Sequence, residues 1–209
     1  MPKKFALRAH GRQDVCAPSK RWRVFCAVEL PAGVLPRVTQ HIARLKEAAP
    51  EAQASWGRAD NIHLTLKFLG DIPQASVQNL SNAASQAVTG LEPFTIRLEQ
   101  TGAFPSHGSA RVLWIGVNDL EGKLGKLQTR LEDEAERLGF QKDARAFHPH
   151  ITLARLRKPE HARTLTAAHK TIEFEPVEFT VAELLVIRSE LSSEGSKYST
   201  ISRHPLVGG

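Results

Sequence analysis

His63-Leu64-Thr65-Leu66-Lys67-Phe68-Leu69, followed by Gly70 and Asp71, is the stretch whose reading decides the fold. From His63 to Lys67 polar and apolar residues alternate, which is the period of a β-strand with one face in a core and the other outside. Leu64 and Leu66 then point inward, and His63 and Thr65 point outward about 6.6 Å apart. Gly70-Asp71 predicts the strand's end.

Working outward, Arg23 to Leu30 predicts a strand stopped by Pro31. A helix from about Ala32 to Ala48 follows, with Val34, Leu35, Val38, Ile42 and Leu45 at helical spacing. A short strand is expected at Ala54 to Trp56 and a helix at Gln74 to Val88. Phe94–Phe104 and Arg111–Val117 predict two strands joined through the turn-rich Pro105-Ser106-His107-Gly108-Ser109, and Glu121 to Leu138 predicts a strongly amphipathic helix. Then come a strand at His150 to Arg155, a helical stretch around Glu160 to Ala168, and strands at Val177 to Ile187 and Tyr198 to Arg203. Helices do not alternate strictly with single strands, so the class predicted is α+β, with sheets covered on one side by helices.

At 209 residues, 41% hydrophobic and 24% charged, the chain fits one compact globular unit. Residues 1–20 are polar and basic and are expected to form an extension; residues 21–209 are expected to form a single domain. The apolar runs, such as Val112 to Val117, are far shorter than the roughly 20 residues a membrane helix needs. The start shows no secretory pattern, and Cys16 and Cys26 have no metal or redox spacing. A cytoplasmic monomer is therefore expected. A formal charge of +6 suits an anionic partner, although charge alone does not establish one.

His150-Ile151-Thr152-Leu153 repeats the opening pattern of the first stretch in the other half of the chain. His169-Lys170-Thr171 also matches His-x-Thr, but it lies in a polar helical stretch and is set aside. Each of the two strand copies offers an imidazole beside a hydroxyl on one face. Opening a cyclic phosphodiester needs one group to take a proton from water and another to give a proton to the leaving sugar oxygen. Two imidazoles with an ordinary pKa near 6.5 supply both without a metal or cofactor. Threonine hydroxyls can hold the nonbridging oxygens.

Asn61-Ile62-His63-Leu64-Thr65-Leu66-Lys67-Phe68-Leu69-Gly70 and Phe147-His148-Pro149-His150-Ile151-Thr152-Leu153-Ala154-Arg155 resemble the motifs of the two-histidine phosphoesterase superfamily. Within it they are most similar to the RNA 2′,3′-cyclic phosphodiesterases, also called LigT-like proteins or 2′-5′ RNA ligases. The resemblance runs from about residue 21 to 203. It implies a bilobal fold of two antiparallel sheets related by a pseudo-twofold around a central groove, with helices outside. It also implies hydrolysis of RNA 2′,3′-cyclic phosphate ends to 2′-phosphates, with reverse 2′-5′ ligation available. His63 would be the proton donor, His150 the acceptor, and Thr65 and Thr152 the phosphate binders. Cyclic phosphates of small nucleotides, such as those derived from ADP-ribose, are an alternative substrate class, and a non-catalytic RNA-end binding module is a further alternative.

Other residues carry weaker expectations. Phe147 could line the groove and stack on a base. Arg155 has the parity of Ile151 and Leu153, so it reaches phosphate only if a bulge re-aims it. Lys67 shares the parity of His63 and Thr65 and could favour anions, but is expected to be a solvated strand-end lysine. Trp56 and Trp114 are expected to be packing residues, with groove stacking as the lesser alternative. His148 with His150 could begin a metal site, but no acidic residue in the motif completes it, so no metal is expected.

Overall fold

The computed structural model describes residues 20–157, 162–193 and 195–208. Except for Lys20, the expected basic extension lies outside the described residues, as does the start of the expected helical stretch at Glu160.

Among the described residues, nine strands and four α-helices follow one another as β1 (Arg21–Glu29), α1 (Leu35–Ala48), β2 (Ala54–Trp56), β3 (His63–Pro73), α2 (Val77–Val88), β4 (Phe94–Phe104), β5 (Val112–Asn118), α3 (Lys123–Arg137), β6 (His150–Leu156), α4 (Ala162–Thr171), β7 (Val177–Val181), β8 (Glu183–Ser192) and β9 (Gly195–Pro205). The class is α+β. All strand pairs are antiparallel, in the order β7-β4-β5-β6-β3-β1-β8-β9, with β2 added beside β6. The two expected sheets are the two halves of this path. They are joined at a seam where β3 and β6 share one paired position, Leu64 opposite Ile151. On each side the motif strand is innermost, and the next strand out precedes it in sequence across a helix: β1 and α1 for β3, β5 and α3 for β6.

The expected strand Val177 to Ile187 divides at Ala182 into β7 and β8, which pair with β4 and β1 in opposite halves. In a flat sheet six strand spacings would hold them about 29 Å apart. One linking residue spans only about 3.5 Å, so the sheet must curl until its distant parts meet.

Helices cover one face through apolar stripes. On α3, Leu124, Leu127, Leu131 and Ala135 are buried at helical spacing. The Arg130 guanidinium on α3 donates to the Gln86 and Thr89 carbonyls at the end of α2 and ties the two helices together. The main core gathers Val24, Cys26, Val28, Leu64, Leu66, Leu113, Ile115, Ile151 and Leu153 from both halves. A smaller cluster, Phe25, Ala27, Leu185 and Ile187 with Tyr198 against it, lies apart from it.

Both motif strands are bulged at the same place. In β3 the partners run Cys26↔Lys67 and then Ala27↔Thr65, leaving Leu66 extra; in β6 they run Leu113↔Ala154 and then Trp114↔Thr152, leaving Leu153 extra. A bulge reverses the facing of everything beyond it. Lys67 and Ala154 are therefore buried beside Leu66 and Leu153, while Phe68 and Arg155 turn outward. The expectation of a solvated Lys67 is thus overturned. It is 4% exposed and ion-paired to Glu132, because strict alternation does not hold past the bulge. β3 also continues through Gly70, whose φ of 67° serves a second register shift instead of ending the strand. Among the described residues no helix is long and apolar enough to cross a membrane.

Candidate active site

The seam places the motif residues. Leu64 and Ile151 pair with both side chains in the core, so their neighbours face the open side. Continuing the antiparallel register by one residue sets His63 across from Thr152 and Thr65 across from His150. The two histidines are then diagonal neighbours, which on a regular ladder stand about 7–8 Å apart. The two threonines occupy the other diagonal.

Each imidazole sits in its own aromatic setting. His63 meets Phe25 and Tyr198 edge-on, with ring centroids 6.2 and 5.6 Å away. His150 meets Phe104 and Trp114 at 5.1 and 6.4 Å. Gly102 is required under Trp114, because a Cβ there would lie 2.2 Å from the indole.

His150 Nδ1 lies 2.6 Å from the His148 carbonyl. A carbonyl can only accept, so Nδ1 carries the proton of the neutral ring and Nε2 is left as the free base. His63 Nδ1 is buried without a partner at hydrogen-bond geometry. The Asn61 main chain is still close enough to draw the ring toward its charged form.

Burial lowers the pKa of both rings below the ordinary histidine value, and the lesser influences then diverge. At His63 the Asn61 backbone and the Glu29 carboxylate oppose the drop, Glu29 being its cross-strand partner on β1. At His150 the backbone bond to His148 opposes it, but Arg155 and His148 push further down. The residue opposite His150 is Gly116, which offers no side chain.

Two adjoining hollows meet at β6. The larger, about 600 Å³, is lined by His63, Thr65, Phe68, Thr152, Arg155 and Tyr198, with Trp56, Arg58 and Arg157 at its margin. The smaller, about 330 Å³, is lined by His150, His148, Phe104, Trp114, Glu99 and Asp119. The first is rich in cations and the second in carboxylates. Phe147 is placed with the core instead of the groove. Arg155, re-aimed by the bulge, lies on the groove side. Trp56 packs against the core and lines the larger hollow, while Trp114 lies against Gly102 and Phe104 and lines the smaller. The excluded His169 is 1% exposed and its Nε2 reaches the Gly102 and Trp114 carbonyls, each at 3.1 Å; it clamps α4 to β4 and β5. Tyr198, Phe25 and Phe104 escaped the sequence reading, since no local pattern marks which distant strand brings an aromatic beside a histidine. Among the described residues no group of three His, Cys, Asp or Glu could hold a metal ion.

A curled antiparallel sheet carrying two matched His-x-Thr strands on one open face defines the class. The model of the 2′-5′ RNA ligase superfamily matches residues 34–192, and the chain belongs to that superfamily. An RNA 2′,3′-cyclic phosphodiesterase of Methanothermobacter thermautotrophicus is 33% identical over 180 residues, covering 85% of this chain and 95% of the relative. One from Escherichia coli K12 is 34% identical over 193 residues, covering 90% and 99%. The crystal structure of E. coli LigT complexed with 3′-AMP superposes with a TM-score of 0.70 at 29% identity, over 90% of this chain and 99% of that one.

Proposed function

We propose that the protein is an RNA 2′,3′-cyclic phosphodiesterase that yields 2′-phosphomonoester ends by two-histidine acid/base catalysis. The observation that carries this reading is the single paired position at the seam, Leu64 opposite Ile151; continuing that register puts the two imidazoles on one diagonal and the two hydroxyls on the other. The relatives' names support the cyclic phosphodiesterase part of this reading.

A cyclic phosphate seated over the seam has its nonbridging oxygens within reach of the Thr65 and Thr152 hydroxyls, which donate to them. Water approaches in line from the His150 side, and His150 Nε2 accepts its proton. As the new P–O bond forms, the P–O3′ bond breaks and His63 delivers a proton to the departing 3′ oxygen. The phosphate stays on O2′. The divergent influences on the two rings fit this division, since Glu29 favours a charged His63 while Arg155 favours a neutral His150. With a 5′-hydroxyl in place of water, the same ring opening gives a 2′-5′ linkage. Arg155 and Arg157 give the larger hollow the sign to receive the polyanionic strand, and exposed Phe68 offers a stacking surface.

The test is phosphorus NMR on a dinucleotide with a cyclic end. A 2′-phosphomonoester is expected; an intact ring after prolonged incubation, or a 3′-phosphate product, would refute the assignment. The same assay on cyclic mononucleotides distinguishes RNA ends from small nucleotides.

A further inference from the structure

Behind the first motif strand lies a buried charged pair for which the acid/base chemistry has no use. Lys67 Nζ stands 2.5 Å from Glu132 Oε2, with side chains 2% and 9% exposed. Lys67 also donates to the Gln141 carbonyl at 2.8 Å. Glu132 accepts from the Asp143 backbone N–H at 3.2 Å and from Gln128 Nε2 at 3.3 Å. The Asp143 carboxylate in turn holds the backbone N–H and side chain of Arg145.

Three bodies meet at this pair: β3, α3, and the segment 138–149, which has neither helix nor strand and delivers His150 to the groove. β3 and β6 share one ladder position, so main-chain pairing sets one motif strand against the other at a single point. A further anchor of the segment is its Pro149 carbonyl, which accepts from Val117 N–H at 3.2 Å. Between the anchors lies the His148 carbonyl, which holds His150 Nδ1. Burying two charges costs desolvation that attraction scarcely repays, and well-packed apolar residues commonly serve stability as well. Here the bulge at Leu66 turns Lys67 inward, and its ammonium and the facing carboxylate bind the main chain of the segment at two points.

We infer that Lys67 and Glu132 are positioning residues that fix the segment 141–149, and through the His148 carbonyl the orientation of His150, against the first motif strand. The inference rests on the two-histidine reading only for its effect on turnover; the effect on the segment stands apart from it.

The test compares Lys67→Met/Glu132→Leu, which removes both charges together, with the milder Glu132→Gln. Lys142→Met serves as a control that breaks the exposed ion pairs of the same segment to α3. In the folded double variant, amide hydrogen exchange over 141–150 is expected to quicken at least tenfold. kcat on the cyclic-ended dinucleotide is expected to fall roughly 10–100-fold with KM within about threefold, as for a displaced catalytic group. Glu132→Gln should show the same changes at smaller size, and Lys142→Met neither. Unchanged exchange together with kcat within about twofold of the parent, in either folded variant, overturns the inference. Should the parent open no cyclic phosphate, the catalytic reading fails and the exchange result decides the positioning role alone.

Discussion

The two motif strands carry the same four-residue pattern, the same bulge and the same diagonal placement, yet their histidines stand in different electrostatic surroundings. His63 faces Glu29 across β1, and its Nδ1 is buried without a partner. His150 faces Gly116, holds the His148 carbonyl, and has Arg155 beside it. Burial lowers both rings, and the carboxylate beside His63 opposes that drop while the cation beside His150 adds to it. A duplicated pattern thus supplies two copies of one side chain, and the flanking strands divide the labour between them.

The largest expected effect breaks the pair. His63→Ala or His150→Ala should each lower turnover roughly 10²–10⁴-fold while the fold is kept. A substrate with sulfur in place of the bridging 3′ oxygen separates the roles, because a thiolate leaves without a proton. It should largely restore His63→Ala and leave His150→Ala impaired; the opposite pattern would exchange acid and base.

A smaller effect sharpens the contrast in proton affinity. With both rings lowered by burial, the bell-shaped profile of kcat/KM should peak on the acid side of the ordinary histidine value. The rising limb belongs to His150 losing its proton. Removing the nearby cation with Arg155→Ala should raise the pKa of His150 and move that limb to higher pH, while KM rises roughly tenfold for a lost charge-assisted contact. A rising limb that stays in place would show that Arg155 does not act on His150.

The smallest effect on activity comes from a histidine with no part in the groove. His41 is 2% exposed and faces His169 with ring centroids 5.7 Å apart. Burial, followed by the His169 and Arg44 charges, pushes its pKa down to about 4. As pH falls below about 6.5 the unfolded chain takes up this proton first. The contribution to stability is therefore complete above that pH and is lost progressively toward pH 4, amounting to about 2 kcal/mol by pH 5. His41→Phe should remove this acid sensitivity, giving a higher Tm than the parent at pH 5 and similar neutral-pH turnover. Equal acid-induced loss of Tm in both proteins would place the sensitivity elsewhere.

Much of this was legible in the chain itself. Alternation from His63 to Leu66 and from His150 to Leu153 is a local property, set by the two-residue period of a strand, and it correctly turned the four motif side chains to one face. Helical spacing likewise located α1, α2 and α3 to within a few residues, and His169-Lys170-Thr171, set aside for its helical setting, lies on α4 with His169 lining neither hollow. Gly70 misled because the same permissive backbone serves a turn or a bulge, and only a partner strand distinguishes them.

What the sequence determined by itself was the pair of His-x-Thr strands and their apolar undersides, because side-chain direction within a regular strand depends on nothing further away. Tertiary structure alone decided that Leu66 and Leu153 bulge, sending Lys67 into the core and Arg155 into the groove. It alone decided that Leu64 meets Ile151, and which carboxylate or cation stands beside each imidazole. Those outcomes depend on registers between strands remote in the chain, and register is a property of the pair, not of either strand.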